Sequence, residues 1–400
     1  MKILVLNSGS SSLKYQVIDT ETGEMLVKGY YERIGQPQAF LTHKVNGEKH
    51  KFEHPARNHE KAIQFVIKRL TSESYGIFKS LDELEAIGHR IVHGGEKFKD
   101  AVLITDEVIQ GIKENEVLAP LHNPAAILGI EACKKVVPNK SMVAVFDTAF
   151  HQTISAEKYT YAIPYEYYEK YGIRKYGFHG TSHQYVANRV AEIMGKDIKD
   201  LKIVNCHLGQ GVSVCAIKDG KSVETSMGLT PLGGIPMGTR SGDLDPSVVT
   251  YLMKKEELDA DDTEEILNKE SGAFGMSMVS IDFRDIENEA LAGGKSAKLA
   301  LDAFHYAIAS YIAKCAVAMG GIDVITFTAG VGEKSPYSRG EICNQLGIFG
   351  VDISGKLNLV RGEEAEISSK ESKVKVFVVP TNEELMIARE TEKVLEQTGI

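Results

Sequence analysis

The sequence predicts an α/β protein built from two similar domains, and three observations support this prediction. The chain has 400 residues, which at about 150 residues per domain corresponds to two or three domains. Short runs rich in β-branched residues alternate with segments of helical periodicity, a pattern typical of α/β architecture. In addition, residues 2–19 resemble residues 202–219.

The alternation involves strand-like and helix-like segments along the whole chain. The strand-like segments are KILVLN, EAIGHRIV, SMVAVFD, KIVNCHL, DVITFT and VKVFVVP. The helix-like segments are AIQFVIKRL, SHQYVANRVAEIM and KLALDAFHYAIASYIAKCAV. The most apolar stretch, Ala297–Met319, contains Lys298, Asp302, His305 and Lys314. Because each of these would cost several kcal/mol in lipid, the stretch predicts a buried helix rather than a membrane span.

Composition excludes several classes of protein. Hydrophobic residues make up 43% and charged residues 25% of the chain, as in ordinary soluble domains. The net charge of −9 repels nucleic acid and anionic membranes, so an anionic ligand needs a local positive site. The N-terminus lacks the features of a signal peptide, which predicts no export. The five cysteines form no Cys-x-x-Cys pair and indicate reduced thiols in a cytoplasmic protein.

The internal repeat aligns residues 2–19 with residues 202–219 without a gap, at an offset of 200 throughout. Each copy predicts a strand, a turn of small residues and a second strand, although such patterns also resemble one another by chance. A true repeat implies two similar domains, a boundary between Thr148 and Ser155, and hinge motion. The identical pairs are Lys2/Lys202, Ile3/Ile203, Gly9/Gly209 and Asp19/Asp219.

Glycine-rich segments follow three of the predicted strands. The first, residues 7–14, offers unobstructed backbone N–H groups, serine hydroxyls and one lysine, which suits a phosphate, although a flexible hairpin is the alternative. Residues 207–211 occupy the same place in the second copy, and residues 328–334 follow a further strand. Three such turns predict one large phosphate-bearing ligand between two domains.

The common nucleotide-binding and hydrolase motifs are absent. Gly294-Lys295-Ser296 resembles the end of a Walker A loop, but Glu289 stands where that loop requires glycine. No G-x-G-x-x-G follows a strand, and neither G-x-S-x-G nor H-E-x-x-H occurs. The sequence therefore still allows phosphoryl transfer by a protein without these motifs.

Isolated polar residues follow predicted strands, where ligands of α/β sheets gather. Arg90, Asp147 and Glu383 are in this position, with surface charges or helix caps as the alternative. Arg240 lies in a glycine-flanked segment that suits a cation directed at an anion, with an ordinary turn as the alternative.

A histidine pair raises the question of a metal site. His179 and His183 have the i, i+4 spacing of zinc ligands on a helix. However, Gly180 begins a helix-start pattern, which places His179 before the helix, and no further His or Cys ligand accompanies the pair. A histidine that donates hydrogen bonds to phosphoryl oxygens is the preferred interpretation.

Taken in order, these segments resemble the acetate kinase family over nearly the whole chain. The matching motifs are NSGSSSLKY, HRIVHGG, LAPLHNP, FDTAFH, YGFHGTSH, HLGQG, ETSMG, PMGTRSGDLDP, FTAGVGE and PTNEE. The resemblance implies two duplicated ribonuclease-H-like domains of the actin-like ATPase fold, an active-site cleft between them, and a homodimer. It implies a first domain of residues 1–148 plus 386–400, and a second, nucleotide-binding domain of residues 149–385.

The resemblance also implies roles for individual residues. Residues implied in catalysis are Arg90, His122, Asp147, His179 and Arg240. Residues implied around the acyl substrate are Arg90, Val92, Leu121, Phe178 and Pro231. Residues implied at the nucleotide are Lys14, His207, Leu208, Gly209, Gln210, Gly211, Asp282, Phe283, Arg284, Gly330, Val331, Gly332, Glu333 and Lys334. Asn7 and Glu383 would help to hold Mg²⁺, with Mn²⁺ as an alternative.

The implied reaction transfers a phosphoryl group from ATP to acetate and gives acetyl phosphate and ADP. A carboxylate with a pKa of about 4 to 5 is ionised at neutral pH and needs no general base, so Asp147 is expected to orient Arg90, a histidine or metal-bound water. Two alternatives remain: a kinase for propionate or another short acid, and a noncatalytic actin-like nucleotide switch. Gln210 and Lys334 stand where the family commonly has asparagine, which affects the expected nucleotide contacts.

Overall fold

The computed structural model describes residues 1–399, and the chain divides into two compact units. Unit 1 contains Met1–Phe150 and the C-terminal residues from Asn382, whereas unit 2 contains His151–Thr381. Glu383 therefore belongs to unit 1, although the boundary expected from sequence, after residue 385, assigns it to the second domain.

Fourteen strands form two sheets, one in each unit. The strands of unit 1 are β1 (Lys2–Ser8), β2 (Leu13–Asp19), β3 (Glu24–Glu32), β4 (Phe40–Val45), β5 (Glu48–Glu53), β6 (Ala86–Ile91), β7 (Val102–Leu103) and β8 (Ser141–Phe146). Those of unit 2 are β9 (Lys202–Leu208), β10 (Val212–Lys218), β11 (Lys221–Thr225), β12 (Val324–Thr328), β13 (Ala365–Glu366) and β14 (Lys375–Val378). All six strand-like segments named above form strands.

Helices connect and cover these strands. They are α1 (His59–Leu70), α2 (Asp106–Glu114), α3 (Asn123–Val136), α4 (Ala156–Tyr159), α5 (Glu166–Tyr171), α6 (Gly180–Met194), α7 (Pro246–Lys255), α8 (Ala260–Glu265), α9 (Gly272–Ser277), α10 (Phe283–Leu291), α11 (Lys295–Met319), α12 (Ala329–Lys334), α13 (Pro336–Asn344) and α14 (Glu383–Thr398). The apolar stretch near residue 300 forms α11 as expected. No helix within residues 1–399 is long and apolar enough to span a bilayer.

The two sheets have the same topology, which confirms the predicted duplication. In unit 1 the order is β3-β2-β1-β6-β8-β7, extended at one edge by β4 and β5, and in unit 2 it is β11-β10-β9-β12-β14-β13. In each sheet the first three strands pair antiparallel in sequence order, β1–β3 in unit 1 and β9–β11 in unit 2. The first strand is also parallel to the next two, β6 and β8 in unit 1 and β12 and β14 in unit 2. A short antiparallel strand, β7 or β13, forms the far edge.

The register corrects one detail of the repeat. The first strands, β1 and β9, are related by an offset of 200, because Ile3 pairs with Ala86 and Ile203 pairs with Val324. The second strands, β2 and β10, are related by an offset of 199 residues. The reason is the length of the turn: four residues lie between the paired residues Ser8 and Leu13, but only three lie between Leu208 and Val212. The gapless alignment is therefore wrong beyond the turn, and Asp19 is not equivalent to Asp219.

Helices on both faces of the unit 1 sheet explain the continuous apolar run of β1. Leu4 and Leu6 belong to the core that includes residues of α1 and α3. On the central strand β6, Gly88 allows α14 to approach, since a methyl group there would lie 2.5 Å from Thr391 Oγ1. A strand covered on both faces buries successive residues, and residues 3–6 are all buried.

Candidate active site

The parallel strands of unit 1 bring three predicted site residues to one edge of the sheet. Asn7 lies at the end of β1, Arg90 at the end of β6, and Asp147 directly after β8. Glu383, the first residue of α14, reaches the same place. Arg90 donates to both Asp147 oxygens, with Nη2–Oδ2 at 2.8 Å and Nε–Oδ1 at 3.1 Å, and its Nη1 lies 3.6 Å from Glu383 Oε2.

Burial makes this contact an ion pair with a fixed geometry. The side chain of Asp147 is 3% exposed, and that of Arg90 is 21% exposed. The attraction of Asp147 raises the pKa of Arg90, so the guanidinium stays charged. Burial raises the pKa of the Asp147 carboxyl, and the two-point contact with Arg90 opposes this effect and is typical of an ionised carboxylate.

A cavity of about 490 Å³ opens beside these residues within unit 1. Asn7, Lys14, Arg90 and Glu383 line it, and Lys14 Nζ lies 5.3 Å from the centre of the Tyr30 ring. Lys14 thus neighbours the Arg90 group, and its predicted contact with the nucleotide stays a prediction.

Unit 2 contains a second polar group, around His179. This residue precedes α6, as expected, with a left-handed backbone (φ 55°) that is strained for a residue other than glycine. Its ring stacks on that of His207 at 4.0 Å between centres. A methyl group on Gly211 would lie 3.3 Å from His179 Nε2 and 3.4 Å from Arg240 Nη1, so both side chains approach this turn.

Arg240 has no acidic partner among residues 1–399. Its Nη1 donates to the Pro231 carbonyl at 3.3 Å and lies 3.7 Å from Met237 Sδ, and it forms no ion pair in this part of the chain. Partial burial lowers the pKa of Arg240. A partly buried guanidinium without a carboxylate keeps hydrogen-bond donors and a positive charge that no acidic side chain of residues 1–399 satisfies.

Backbone contacts fix the loop that carries Arg240. The Met237 N–H donates to the Arg240 carbonyl at 2.9 Å. Gly272 packs so closely that a methyl group there would lie 2.2 Å from the Met237 oxygen. The loop is therefore positioned by α9 rather than by its own hydrogen bonds alone.

A larger cavity of about 740 Å³ lies beside Gly209 and Gln210, at the other end of the turn that contains Gly211. This volume is within the size range of small-molecule pockets. Among the residues predicted at the nucleotide, eight line it: Gly209, Gln210, Asp282, Phe283, Arg284, Gly330, Val331 and Lys334. The Gln210 amide donates to the Ile281 carbonyl at 3.1 Å. Hydrogen bonds from Arg284 lower the pKa of Asp282 to about 2, so this carboxylate stays ionised.

The third glycine-rich segment is not a turn like the other two. Residues 329–334 form the short helix α12 directly after β12. The Glu333 side chain folds back and accepts hydrogen bonds from the backbone N–H groups of Ala329 (2.8 Å) and Thr381 (3.3 Å). Glu333 thus holds its own segment in place.

The remaining predicted residues are divided between the units. In unit 1, His122 is exposed before α3, Val92 is half-buried, and Leu121 is 78% exposed. In unit 2, Phe178 is buried and Pro231 contacts Arg240. Leu208 and Gly332 are buried. Their roles stay predictions.

Several lining residues were missed by the sequence analysis. Glu287, Asn288, Ser335 and Arg361 line the larger cavity, and Lys28 and Lys44 line the smaller one. None of them lies in a glycine-rich segment or at the end of a parallel strand. Glycine-rich segments and polar residues after strands, the two patterns that predicted the site, therefore could not identify them.

Around His179 and His183, as elsewhere within residues 1–399, no group of three or more His, Cys, Asp or Glu side chains is arranged to hold a metal ion. All five cysteines are buried and unpaired, as their spacing predicted. Gly294 caps α11 after α10, so the rejected Walker A segment does not follow a strand.

Comparison with known proteins identifies the family. The model of the acetokinase family matches residues 2–389. The chain belongs to the acetokinase family. Relatives in this family include the acetate kinase of Clostridium botulinum (strain Hall), 54% identical over 98% of this chain and 99% of the relative. The acetate kinase of Thermoanaerobacterium thermosaccharolyticum is 55% identical, and the alignment covers 99% of each chain.

Solved structures of family members have the same fold. The crystal structure of Porphyromonas gingivalis acetate kinase matches with a TM-score of 0.95 and 47% identity, covering 98% of this chain and 99% of that one. A propionate kinase from Francisella tularensis matches with a TM-score of 0.91 and 40% identity, with the same coverage. The predicted fold class and family are confirmed.

Proposed function

We propose that the protein is an ATP:acetate phosphotransferase that reversibly forms acetyl phosphate and ADP. The observation that carries the proposal is the turn Gly209–Gly211. The 740 Å³ cavity lies at one end of this turn, and the His179 ring and the unpaired Arg240 guanidinium lie at the other. The terminal phosphate of a nucleotide bound in the cavity would meet two hydrogen-bond donors there.

The Arg90 group suits the acceptor carboxylate. Acetate is already an anion at neutral pH, so the reaction requires charge neutralisation rather than removal of a proton. Arg90 supplies the positive charge, and the bidentate contact with Asp147 fixes its orientation. We infer that Asp147 acts through Arg90 and not as a base.

The oxygen atoms of Asn7 and Glu383 suit Mg²⁺. Mg²⁺ takes oxygen ligands and commonly needs only one or two protein groups, since water and substrate phosphates complete its coordination. An amide and a carboxylate that line one cavity with Arg90 fit this requirement. When bound, the ion would neutralise charge on the phosphates. Asn7 and Glu383 would orient that charge beside Arg90.

An acyl phosphate assay tests the proposal. Purified protein is incubated with ATP and Mg²⁺ and with acetate, propionate or butyrate, and acyl phosphate is trapped as its hydroxamate. We expect product with acetate at the highest kcat/KM. A higher value with propionate would favour the activity that the Francisella tularensis relative is named for. ATP hydrolysis without acyl phosphate from any acid would favour the nucleotide switch and contradict the proposal.

A further inference from the structure

A continuous chain of side-chain hydrogen bonds runs through the core of unit 2 and ends at His179. Its four buried members are Thr326, Asn205, His183 and Ser213, which we call the relay. Thr326 Oγ1 lies 2.7 Å from Asn205 Oδ1, and Asn205 Nδ2 lies 2.8 Å from His183 Nδ1. Ser213 Oγ lies 2.7 Å from His183 Nε2 and 2.9 Å from His179 Nδ1.

The direction of these bonds is set by Thr326. Among the described residues, its hydroxyl contacts one side-chain partner, Asn205. If the Asn205 amide were reversed, its NH₂ group would donate to Thr326, and the buried hydroxyl proton would have no acceptor in this part of the chain. Because an unsatisfied buried donor costs free energy, Thr326 donates to Asn205 Oδ1, and the amide nitrogen faces His183.

The orientation of Asn205 then determines the donor and the acceptor of each following hydrogen bond, as far as His179. The Asn205 N–H donates to His183 Nδ1, so the single proton of this buried neutral ring is on Nε2, which donates to Ser213. Burial lowers the pKa of His183, in agreement with a neutral ring. The Ser213 hydroxyl has one proton, and it donates this proton to His179 Nδ1.

We propose that the relay consists of positioning residues that hold His179 as the neutral tautomer protonated at Nε2. This inference rests on the proposed function, in which His179 donates to an oxygen of the transferring phosphoryl group. Without the relay, a neutral histidine could place its proton on either nitrogen, and only one of the two tautomers is a donor at Nε2.

Basic groups that face His179 also oppose a second proton on its ring. Three of them are His183 on α6, His207 on β9 and the guanidinium of Arg240. All three are basic, and Arg240 is charged. Protonation at Nδ1 would also require the Ser213 hydroxyl to turn away and reverse the relay. We therefore expect Nδ1 of His179 to accept the hydrogen bond of Ser213 and to carry no proton in the ligand-free protein.

NMR spectroscopy of protein labelled with ¹⁵N-histidine tests this directly. The spectrum of the ligand-free wild type is expected to show His179 with a protonated Nε2 and an unprotonated Nδ1, assigned by loss of the signal in His179→Gln. Ser213→Ala should release Nδ1, so that the single proton of the His179 ring is shared between Nδ1 and Nε2 and kcat falls roughly tenfold to a hundredfold while KM changes little. Asn205→Asp should reverse the relay and move the His179 proton to Nδ1.

Ser222→Ala is the matched control, because Ser222 also makes a buried hydrogen bond to a histidine, His151, at 2.8 Å. It should leave the His179 signals unchanged. A protonated Nδ1 in wild type, or an unchanged His179 in Ser213→Ala, would overturn the inference. If neither variant folds, the wild-type spectrum alone decides. The measurement uses no substrate, so a failed acyl phosphate assay with the expected spectrum would reject the proposed function and leave the tautomer assignment intact.

Discussion

Arg240 is expected to reduce stability while it serves the proposed reaction. Its guanidinium is partly buried and has no carboxylate partner among residues 1–399, and burial lowers its pKa. A charge in this position loses hydration without recovering it in an ion pair. The binding role expected of Arg240 from the sequence stays a prediction.

Arg240→Met should separate these two effects. We expect acyl phosphate formation to fall by roughly 10³-fold or more, because the charge on the transferring group loses its partner. The melting temperature should stay the same or rise by about 2 to 4 °C, since a poorly solvated charge is removed. The control is Arg189→Met, on the exposed face of α6, where the ion pairs with Glu192 and Glu364 contribute little. A large fall in melting temperature for Arg240→Met would contradict this account.

Asp147→Asn tests whether this carboxylate orients Arg90 or removes a proton. The amide keeps the shape of the carboxylate but loses its charge, so we expect kcat/KM for the acid to fall roughly tenfold to a hundredfold. The pH profile should be flat from about pH 6 to 8 in both proteins, because acetate needs no base. Asp106→Asn, at an exposed ion pair with Lys134, is the control. Loss of a titrating limb in Asp147→Asn would favour a base.

At the scale of the element, the edge of the unit 1 sheet carries an unusual row of like charges. Lys28 on β3 pairs in register with Lys44 on β4, which pairs with Lys49 on β5. All three are exposed, line the cavity that contains Arg90, and form no ion pair within residues 1–399. Like charges directly opposite each other destabilise a sheet. Their field attracts anions, although the whole protein is negatively charged.

Lys28→Gln/Lys44→Gln should weaken the capture of acetyl phosphate. We expect kcat/KM for acetyl phosphate to fall roughly three- to tenfold at low salt and to approach the wild-type value near 0.5 M salt, where the Debye length is only about 4 Å. Lys254→Gln/Lys255→Gln on α7 removes the same charge from another exposed site and should have little effect. An equal loss in both variants, or a loss that persists at high salt, would contradict steering by this row.

The elements also show where local sequence signals are sufficient. All the strand-like and helix-like segments named from the sequence were confirmed, because a strand between two layers needs a continuous apolar run and a helix needs its 3.6-residue period. Residues 328–334 were expected to form a third phosphate-binding turn, yet residues 329–334 form α12. Their glycines permit both structures, and the bonds of the Glu333 side chain to Ala329 and to the distant Thr381 favour the helix.

At the scale of the whole molecule, buried histidines couple stability to pH. Burial lowers the pKa of His89 to about 3, and those of His151 and His305 to about 4. Below pH 6.5 the unfolded chain binds protons at these residues and the folded protein does not. The free energy of unfolding should therefore fall as the pH decreases from about 6.5 towards 4, by about 1 to 2 kcal/mol for each histidine at pH 5.

Urea unfolding at pH 7.5 and pH 5 measures this effect. We expect a lower midpoint at pH 5, and a smaller difference between the two conditions for His305→Gln, since glutamine keeps the contact with Ser338 but does not titrate. His50→Gln, on strand β5 of unit 1, should show the wild-type difference. A midpoint that is independent of pH in wild type would show that these histidines do not control acid stability.

The duplicated topology places different chemistry at equivalent positions. The registers make the ends of β1, β6 and β8 equivalent to those of β9, β12 and β14. Unit 1 has Asn7, Arg90 and Asp147 at these ends, whereas unit 2 has His207, Thr328 and Thr381. One scaffold thus presents an ion pair in unit 1, and a histidine and two threonine hydroxyl groups in unit 2.

The amino-acid sequence by itself determined the α/β class, the repeat, six of the strands and the polar residues that follow them, because apolar periodicity and turn composition are local properties. It did not determine which of these residues contact one another. Three features depend on residues far apart in the chain: Arg90 pairs with Asp147 and Glu383, Arg240 has no carboxylate partner within residues 1–399, and Thr326 is linked to His179 through three other side chains. Only the tertiary structure brings such residues within hydrogen-bond distance. Burial then strengthens the hydrogen bonds that form and raises the free-energy cost of a polar group without a partner.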